Sequence, residues 1–398
     1  MKSVLKHTLI LWIILFMGCE DKKKDDAELK GCIDPFACNY DSLAVVDDGS
    51  CLYPVDMYGN NYVDCDSNCI NDADEDGICD EEDPTAYLFI LCEGNFRAEN
   101  ASLWSVDLDD EAADINANVF ESLSGTNLGD VANAMYIYND LLYIINNNSH
   151  SLEILGLGEN ITHLASVNLS TSSPRYMAFG NDKGYITTWY SGILVFDLNS
   201  NSISDTISIN GMPEDIVYDN GNLYVSVPMH SDWSTNDDIL KIDVFSKSVI
   251  DTFDVVAGPG RLLISDNKLF IASTYFDLNW NSYSGTSAIE LSSGTIQTND
   301  YGMSSNVGSD LVEIDGSVYR ATTTGIAPLN SDLSVDNNNA KGDFSGVYSV
   351  VVSGDKIFFG VTDDYLAPDQ VFVTDLEGNV LRTFEVGAIP TDFAVFNK

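Results

Sequence analysis

The chain has 398 residues, of which 44% are apolar and 20% are charged. This composition supplies enough apolar side chains for one or two globular domains with a buried core, and it excludes a wholly disordered protein. Asp and Glu total 62 against 18 Lys and Arg, a net charge of −44, which argues strongly against binding to nucleic acid or to an anionic membrane surface through charge.

The N-terminus has the pattern of an export signal. Lys2 and Lys6 precede the apolar run 8–17, which is shorter than the roughly 20 residues that span a bilayer but suits a secretory signal peptide. We predict that residues 1–18 are this signal. The segment LFMGC resembles a bacterial lipobox, which implies that Cys19 is lipidated; an ordinary signal peptide with a chance cysteine is the alternative.

Residues 19–30 continue with EDKKKDDAELK after the cysteine, a charge-dense stretch that we predict to be an unfolded tether. It resembles the acidic tract that directs lipoproteins of Bacteroidetes-type bacteria to the outer face of the outer membrane. The resemblance implies an outer-membrane protein that is held by its lipid anchor and faces the cell exterior.

Cysteines are concentrated in the next segment, residues 31–83. Six lie there: Cys32, Cys38, Cys51, Cys65, Cys69 and Cys79. In an exported protein this density predicts disulfides, because so small a segment cannot bury enough apolar surface to fold unaided. Six cysteines allow 15 pairings, among which the sequence does not choose. A zinc site is the less favoured alternative, because paired CxxC spacings and accompanying histidines are missing.

The same segment contains a candidate calcium site in DADEDGICDEED. Its carboxylates occupy positions 1, 3, 5, 9 and 12 around Gly77, and they belong to Asp72, Asp74, Asp76, Asp80 and Asp83. Alternate carboxylates around a glycine turn suit a hard cation with oxygen ligands, so we predict bound calcium. The pattern resembles thrombospondin type 3 repeats, which implies a structural role in a stalk. An acidic linker without a bound ion is the alternative.

A repeat of paired strands begins near residue 86. Its clearest copies are PRYMAFGNDKGYITTW (174–189), PEDIVYDNGNLYVSV (213–227), PGRLLISDNKLFIAS (259–273) and VYSVVVSGDKIFFGV (347–361). Each copy is an apolar strand, a turn of Asn, Asp, Gly or Lys, and a second strand, and third and fourth strands usually follow. Four antiparallel strands at a period of roughly 39 to 49 residues are typical of β-propeller blades.

The two ends of the repeat region predict how the ring closes. Six units lie between about 128 and 386, while YLFILCEGN (87–95) lacks a preceding partner and PTDFAVF (390–396) is a lone first strand. Joining them gives an all-β, seven-bladed β-propeller over residues 86–398 with no open sheet edge. Cys92, inside the apolar 87–95 strand, is predicted to be a buried free thiol.

Several segments carry a family resemblance. EGNF (93–96), LGDVANAMYIY (128–138), SPRYMAF (173–179) and GMPEDIVYDNGNLYVSV (211–227) resemble the YncE-like, YVTN-type seven-bladed propellers that occur as Bacteroidetes surface lipoproteins. One branch of those proteins is similar to cobalamin-capturing propellers that deliver vitamin B12 to a TonB-dependent outer-membrane transporter. The resemblance implies capture of a ligand, cobalamin or another bulky nutrient, for such a transporter.

Propeller geometry predicts which face binds the ligand. Loops from second to third strands and from fourth to next first strands emerge on one face, and here they are rich in aromatic residues. The candidate ligand-binding residues are Phe96, Arg175, Trp189, Tyr190, His230, Trp233, Tyr275, Phe276, Trp280, Tyr283 and Tyr365. Each ring alone could pack on its own loop, but a shared aromatic face favours recognition of a bulky amphipathic ligand. The stretch STYFDLNWNSYSG (273–285) is predicted to be an irregular loop.

Two other functions remain open, a propeller hydrolase or lyase and a structural or adhesive surface protein. The propeller region contains only three histidines, His150, His163 and His230, and it has no GxSxG, HExxH or convincing Cys-His pair. We therefore predict no enzymatic activity and no catalytic cofactor, with structural calcium as the one expected ion.

Overall fold

The computed structural model describes residues 29–54, 63–66, 68, 70, 86–110, 112–158, 160–303 and 307–397. The predicted lipidation site at Cys19, the five predicted calcium ligands, Cys69 and Cys79 lie outside these residues. The chain divides into two units, residues 1–83 and 84–398. In the described part of the chain, no helix is both long and apolar enough to cross a bilayer.

The N-terminal unit depends on disulfides. Its two short strands, β1 (Lys30–Gly31) and β2 (Val46–Asp47), pair in parallel. Disulfides join Cys32 to Cys51 and Cys38 to Cys65, so the prediction of disulfides is confirmed for these four cysteines. Large apolar side chains such as Phe36 stay exposed in this unit, which agrees with covalent links replacing a sizeable core.

The regular secondary structure of the second unit consists almost entirely of β-strands. In chain order they are β3 (Ala86–Cys92), β4 (Ser102–Asp107), β5 (Ala132–Tyr138), β6 (Leu141–Asn146), β7 (Ser151–Leu157), β8 (Ile161–Asn168), β9 (Pro174–Gly180), β10 (Lys183–Thr188), β11 (Gly192–Asp197), β12 (Ser202–Ile207), β13 (Ile216–Asp219), β14 (Asn222–Met229), β15 (Thr235–Asp243), β16 (Ser248–Asp254), β17 (Pro259–Ser265), β18 (Lys268–Phe276), β19 (Ser282–Glu290), β20 (Ile296–Met303), β21 (Val307–Ile314), β22 (Ser317–Thr322), β23 (Gly325–Pro328), β24 (Val347–Ser353), β25 (Lys356–Val361), β26 (Asp369–Asp375), β27 (Val380–Val386) and β28 (Pro390–Asn397). Among the described residues of this unit, one helix, α1 (Val119–Ser124), and one 3-10 turn, Asn337–Asn339, accompany them.

These strands form seven antiparallel sheets, which we number as blades. Blade I has the strand order β28-β3-β4, blade II is β5 to β8, blade III β9 to β12, blade IV β13 to β16, blade V β17 to β20, blade VI β21 to β23 and blade VII β24 to β27. The innermost strands β28, β5, β9, β13, β17, β21 and β24 contact one another in this circular order around a central channel. The prediction of an all-β, seven-bladed propeller is confirmed.

The C-terminal strand closes the ring as predicted. β28 pairs with β3 in blade I, with Phe393 opposite Ile90. Beyond β4, the backbone of Ser105 exchanges two hydrogen bonds with that of Asn116, and Phe120 of α1 packs into the same apolar cluster as Leu103. The edge of the blade is therefore covered and does not offer an unpaired strand.

Burial changes across each blade. The second strands β6, β10 and β25 are buried along nearly their whole length, because both of their faces pack against neighbouring blades. The outer strand β8 instead alternates between partly buried and exposed side chains, as a strand with one solvated face does. Cys92, at the end of β3, is a fully buried free thiol, as predicted.

Aspartates tie the innermost strands to one another. Backbone N–H groups donate across blades to carboxylates at the start of an innermost strand: Leu262 to Asp215 at 2.8 Å, Val350 to Asp310 at 2.9 Å, and Met135 to Asp392 at 2.8 Å. Charge-assisted hydrogen bonds of this kind are stronger than neutral ones. They fix the wall of the channel, on which the candidate site is built.

The expectation of an irregular loop over residues 273–285 is wrong for most of that stretch. β18 extends through Phe276 and β19 begins at Ser282, with Tyr275 opposite Tyr283. The two tyrosine rings stack at 5.0 Å, and cross-strand aromatic pairs stabilise a hairpin. Only residues 277–281 form the turn, in which the Asp277 carboxylate accepts two backbone N–H groups.

Candidate ligand-binding site

A cavity of about 450 Å³ occupies one end of the central channel. Each of the seven innermost strands, at or just before its start, contributes one residue at an equivalent position: Asn133, Arg175, Glu214, Gly260, Ser309, Tyr348 and Thr391. Met229 and Thr274, from the ends of second strands, complete the wall. This end of the channel is the one from which second-to-third loops leave, and we call the cavity the mouth.

On the side of the mouth formed by blades V and VI, small residues stand where other blades have longer ones. Gly258, Gly260, Gly308 and Ser309 line this side. Gly258 adopts a φ of +68°, and a Cβ added there would lie 2.2 Å from the carbonyl oxygen of Thr274. Glycine is therefore required at this position for the chain to pass close to β18.

The side formed by blades III and IV is held by a rigid group of three side chains. The Arg175 guanidinium donates to both carboxylate oxygens of Glu214, with Nε at 3.1 and 3.0 Å, and the Trp189 indole N–H donates to the same carboxylate at 3.0 Å. The guanidinium also lies 4.7 Å from the centre of the Trp189 ring. Burial would lower the pKa of Arg175, but Glu214 outweighs it and raises that pKa above its usual value, so the guanidinium stays charged.

Arg261 separates the mouth from a second cavity. Its Nε lies 3.2 Å from Asp310 Oδ1 and its Nη1 4.0 Å from Asp215 Oδ2, while its guanidinium lies 4.6 Å from the Tyr176 ring centre. Below it, a cavity of about 520 Å³ continues along the channel. Asp392 borders both cavities, and burial raises the pKa of its carboxyl to about 6.

A second carboxylate group lies on the blade I and VII side of the mouth. The Tyr348 hydroxyl donates to Glu93 Oε2 at 2.8 Å. Burial raises the pKa values of both the Glu93 carboxyl and the Tyr348 phenol. Glu93 directly follows β3, so the closure of the ring brings it to a residue that is 255 positions away in sequence.

Aromatic rings extend the wall of the mouth outward. Trp233 meets Trp189 edge to face at 5.8 Å, and Tyr365 meets Tyr348 in the same way at 6.3 Å. Trp233 remains 56% exposed, so its ring offers an open face beside the cavity. The rim and the lining therefore form a continuous aromatic surface on two sides.

Two exposed tryptophans sit at conformationally costly positions. Trp233 and Trp280 have φ values of 68° and 63°, and each is the fourth residue of a five-residue hairpin turn. The same backbone pattern in the turn 375–379 has Gly378 at the fourth position, where no Cβ conflict arises. A side chain in this left-handed region costs about 1 kcal/mol or more, yet Trp280 is 81% exposed and gains little packing in return.

Of the predicted ligand-binding residues, Arg175 and Trp189 line the mouth. Trp233 and Tyr365 contact lining residues. The carbonyl of His230 accepts the backbone N–H of Trp233 within their turn. The stacked pair of Tyr275 and Tyr283 continues the wall beyond Thr274. Phe276 and Trp280 lie at the hairpin tip, 6.3 Å apart. Phe96, which contacts Arg97, and Tyr190 are mostly exposed and do not line the cavity. The guanidinium of Arg175 is paired with Glu214.

Sequence reasoning missed the residues that form the deeper wall. They are Asn133, Tyr176, Glu214, Arg261, Asp310, Tyr348 and Asp392. A usable signal existed, since each occupies the second or third position of the first-strand motif in its repeat, as in PRYM, PEDI, PGRL and PTDF. The aromatic loops indicate the residues of the rim, whereas alignment of the repeats indicates the residues of the channel wall.

The described residues include two groups of three carboxylates close enough to share an ion. They are Asp237, Asp238 and Asp254, and Asp363, Asp364 and Asp369. None of these six residues lines the mouth, so the site offers charged and aromatic groups for binding and no cluster of this kind for metal chemistry.

A family model described as Domain of unknown function (DUF5074) matches residues 87–310, from β3 to the innermost strand of blade VI. The chain belongs to this family. The matched region includes most of the mouth, with Arg175, Trp189, Glu214 and Arg261. No curated protein sequence matches the chain significantly.

Solved structures with the same architecture are distant in sequence. A protein of Bacteroides fragilis, proposed to be a 6-phosphogluconolactonase, is 14% identical with a TM-score of 0.57, and the match covers 79% of this chain and 99% of that one. Hydrazine synthase of Kuenenia stuttgartiensis is 16% identical with a TM-score of 0.51, covering 69% and 99%. At these identities the likeness shows the shared fold alone.

Proposed function

We propose that this protein captures a bulky, amphipathic small molecule at the mouth of its propeller. The observation that carries the proposal is the mouth itself, a cavity of about 450 Å³ to which all seven blades contribute and which Trp189 and Tyr348 line. Binding sites for small molecules are concave and combine apolar walls with a few fixed polar groups. Here the Arg175–Glu214 pair supplies fixed polarity, and the aromatic rings supply flat apolar faces.

The rim favours a ligand larger than the cavity. Trp233 extends the wall at Trp189, and the hairpin of β18 and β19 carries four further rings next to Thr274, which lines the mouth. One part of the ligand would enter the cavity while the rest lies against the rim. Trp233 and Trp280 are exposed at strained backbone positions. A bound molecule that covers both rings would account for this arrangement.

Cobalamin is the specific ligand that the family resemblance supports, and delivery to a TonB-dependent transporter is the corresponding role. In this proposal Cys19 carries the lipid anchor, the protein faces the cell exterior, and calcium held by residues 72–83 stiffens the stalk. Cobalamin combines polar groups with a hydrophobic ring framework. It is larger than the cavity and would need the rim as well. The protein then acts by binding and release, without catalysis.

Titration with cyanocobalamin tests the proposal directly. We expect calorimetry of the purified protein to give a binding heat, and Trp233→Ala and Trp280→Ala to weaken binding by about tenfold each, because each removes roughly 1–2 kcal/mol of ring contact. Phe245→Ala is the matched control, since Phe245 is an exposed ring in a tight turn at the opposite end of the channel.

The outcomes separate the specific ligand from the general function. If cyanocobalamin gives no heat, cobalamin is wrong, and a panel of other amphipathic nutrients then tests capture itself. If a ligand binds the two tryptophan variants and the parent protein equally, the rim is not part of the site. Hydrolytic turnover of any panel compound would instead favour an enzyme, and binding only to cells or polymers would favour an adhesive role.

A further inference from the structure

The mouth contains more carboxylates than cations. Among the described residues that line it or bond directly to its lining, the carboxylates belong to Glu93, Glu214, Asp215, Asp310 and Asp392, and the guanidiniums to Arg175, Arg261 and Arg320. The formal balance is a surplus of two negative charges. In a partly desolvated site such a surplus is costly unless a cation offsets it.

The three guanidiniums are already engaged. Arg175 pairs with Glu214, and Arg261 with Asp310 and Asp215. Arg320 is fully buried behind the small-residue wall, where it donates to four oxygens: the carbonyls of Gly308, Gly285 and Ser273 and the hydroxyl of Thr286. An anionic ligand would have to displace one of these partners to reach a guanidinium.

Two carboxylates have only neutral hydrogen-bond donors. Glu93 accepts from the Tyr348 hydroxyl, and Asp392 accepts from the backbone N–H groups of Met135 and Phe393. Within the described part of the chain, neither forms an ion pair with Lys or Arg. Both belong to blade I, and Tyr348 and Asp392 line the same side of the mouth. Burial raises the pKa values of both carboxyls and outweighs the opposing charges of Arg175 on Glu93 and of Arg261 on Asp392.

We infer that the ligand group entering the mouth carries a positive charge on an apolar or aromatic body, with Glu93 and Asp392 as its counter-charges. This inference rests on the proposed capture function and names the chemical class that the same site prefers. Trp189, Met229 and Val347 provide the apolar contacts, and the tyrosine and tryptophan faces attract cations. Phosphorylated sugars, nucleotides and other polyanions are repelled by the surplus charge.

A pair of ions with the same shape and opposite charge tests this inference. Tetraphenylphosphonium and tetraphenylborate are titrated into the purified full chain at physiological salt, which screens charges on the open surface, and quenching of tryptophan fluorescence is recorded. We expect the cation to bind at least about tenfold more tightly than the anion. Glu93→Gln and Asp392→Asn should each weaken cation binding by about tenfold and leave anion binding unchanged or improved.

Glu385→Gln is the matched control, because it removes the same charge from an exposed position on the outer strand of blade VII. The inference is overturned if the anion binds as tightly as the cation, or if Glu385→Gln weakens cation binding as much as Glu93→Gln does. Binding of neutral cyanocobalamin without binding of either ion overturns the charge preference and leaves capture intact. Binding of none of the three probes overturns the inference and counts against the capture function as well.

Discussion

Asp392 shows how one residue serves both the fold and the site. Its carboxylate accepts the backbone N–H of Met135 from blade II and that of Phe393 from its own strand, which ties blade I to blade II. The same carboxylate borders the mouth and faces Arg261 and Asp310, whose charges act on it in opposite directions. Burial has the largest effect and raises its pKa to about 6 from an ordinary 3.8.

This raised pKa predicts a pH dependence of stability. Because folded Asp392 binds its proton more tightly than the unfolded chain does, its contribution to the free energy of unfolding is fully present below about pH 4 and is lost as the pH rises through about 6. At about 1.4 kcal/mol per pKa unit, the total is roughly 3 kcal/mol. Urea unfolding of wild type and Asp392→Asn is measured at several pH values. The free energy of unfolding of wild type, relative to that of Asp392→Asn, should fall as the pH rises from 4 to 7. A constant difference contradicts the prediction, and Glu385→Gln provides the baseline for an exposed carboxyl.

Individual side chains of the rim could be named from the sequence, but their partners could not. The aromatic loops identified Trp189 and Trp233, whereas nothing local indicates that the Trp189 N–H bonds Glu214 or that Arg175 is neutralised by it. Arg320 resembles an ordinary strand residue in SVYRAT, yet it is completely buried among backbone carbonyls of blades V and VI. Such pairings depend on how neighbouring blades are rotated, which a single strand pattern does not contain.

The hairpin of β18 and β19 is the element whose structure differs most from expectation. Its composition of Ser, Asn, Asp and Gly is typical of a loop, but cross-strand pairing of Tyr275 with Tyr283 and the Asp277 side chain stabilise it as a projecting ladder. Local propensity was outweighed here by pair contacts between strands. The result is a firm support that holds Trp280 away from the body of the blade.

The left-handed conformation of Trp280 gives a prediction at this scale. The free energy of unfolding of Trp280→Gly should be about 0.5–1 kcal/mol higher than that of Trp280→Ala, because glycine adopts the observed φ of 63° without a Cβ conflict. Denaturant unfolding of the two variants measures the difference. Equal stability, or a more stable alanine variant, would mean that the backbone at the tip relaxes and that Trp280 is not held at a conformational cost.

At the scale of the whole molecule, closure of the ring by β28 creates the site as well as the core. β28 supplies Thr391 and Asp392 to the mouth and buries Phe393 against blade VII, where it stacks with Phe358. Without this strand β3 would become the innermost strand of blade I and expose an unpaired edge. The ring, the channel and the mouth are therefore interdependent.

Removing β28 tests this dependence. We expect a chain that ends at residue 389 to lose cooperative unfolding, to lower the melting temperature by more than about 10 °C, and to aggregate through the exposed β3 edge. Circular dichroism melting and light scattering measure these effects. Deletion of Lys398 alone is the control. Unchanged melting would show that the remaining blades hold together without the closing strand.

The features that could be predicted from the sequence are the strand repeat, the number of blades, the closing strand, the use of disulfides and the face that carries the aromatic loops. They are predictable because the alternation of apolar residues, the turn residues and the repeat period are local patterns of the linear sequence. The side chains that meet in the mouth and the pairing of their charges depend on the folded ring. Glu93 and Tyr348 are 255 residues apart, and Asp392 reaches Met135 across the closed ring. Contacts of this kind exist only when seven blades share one axis, so their energies depend on the assembled ring and on no single repeat.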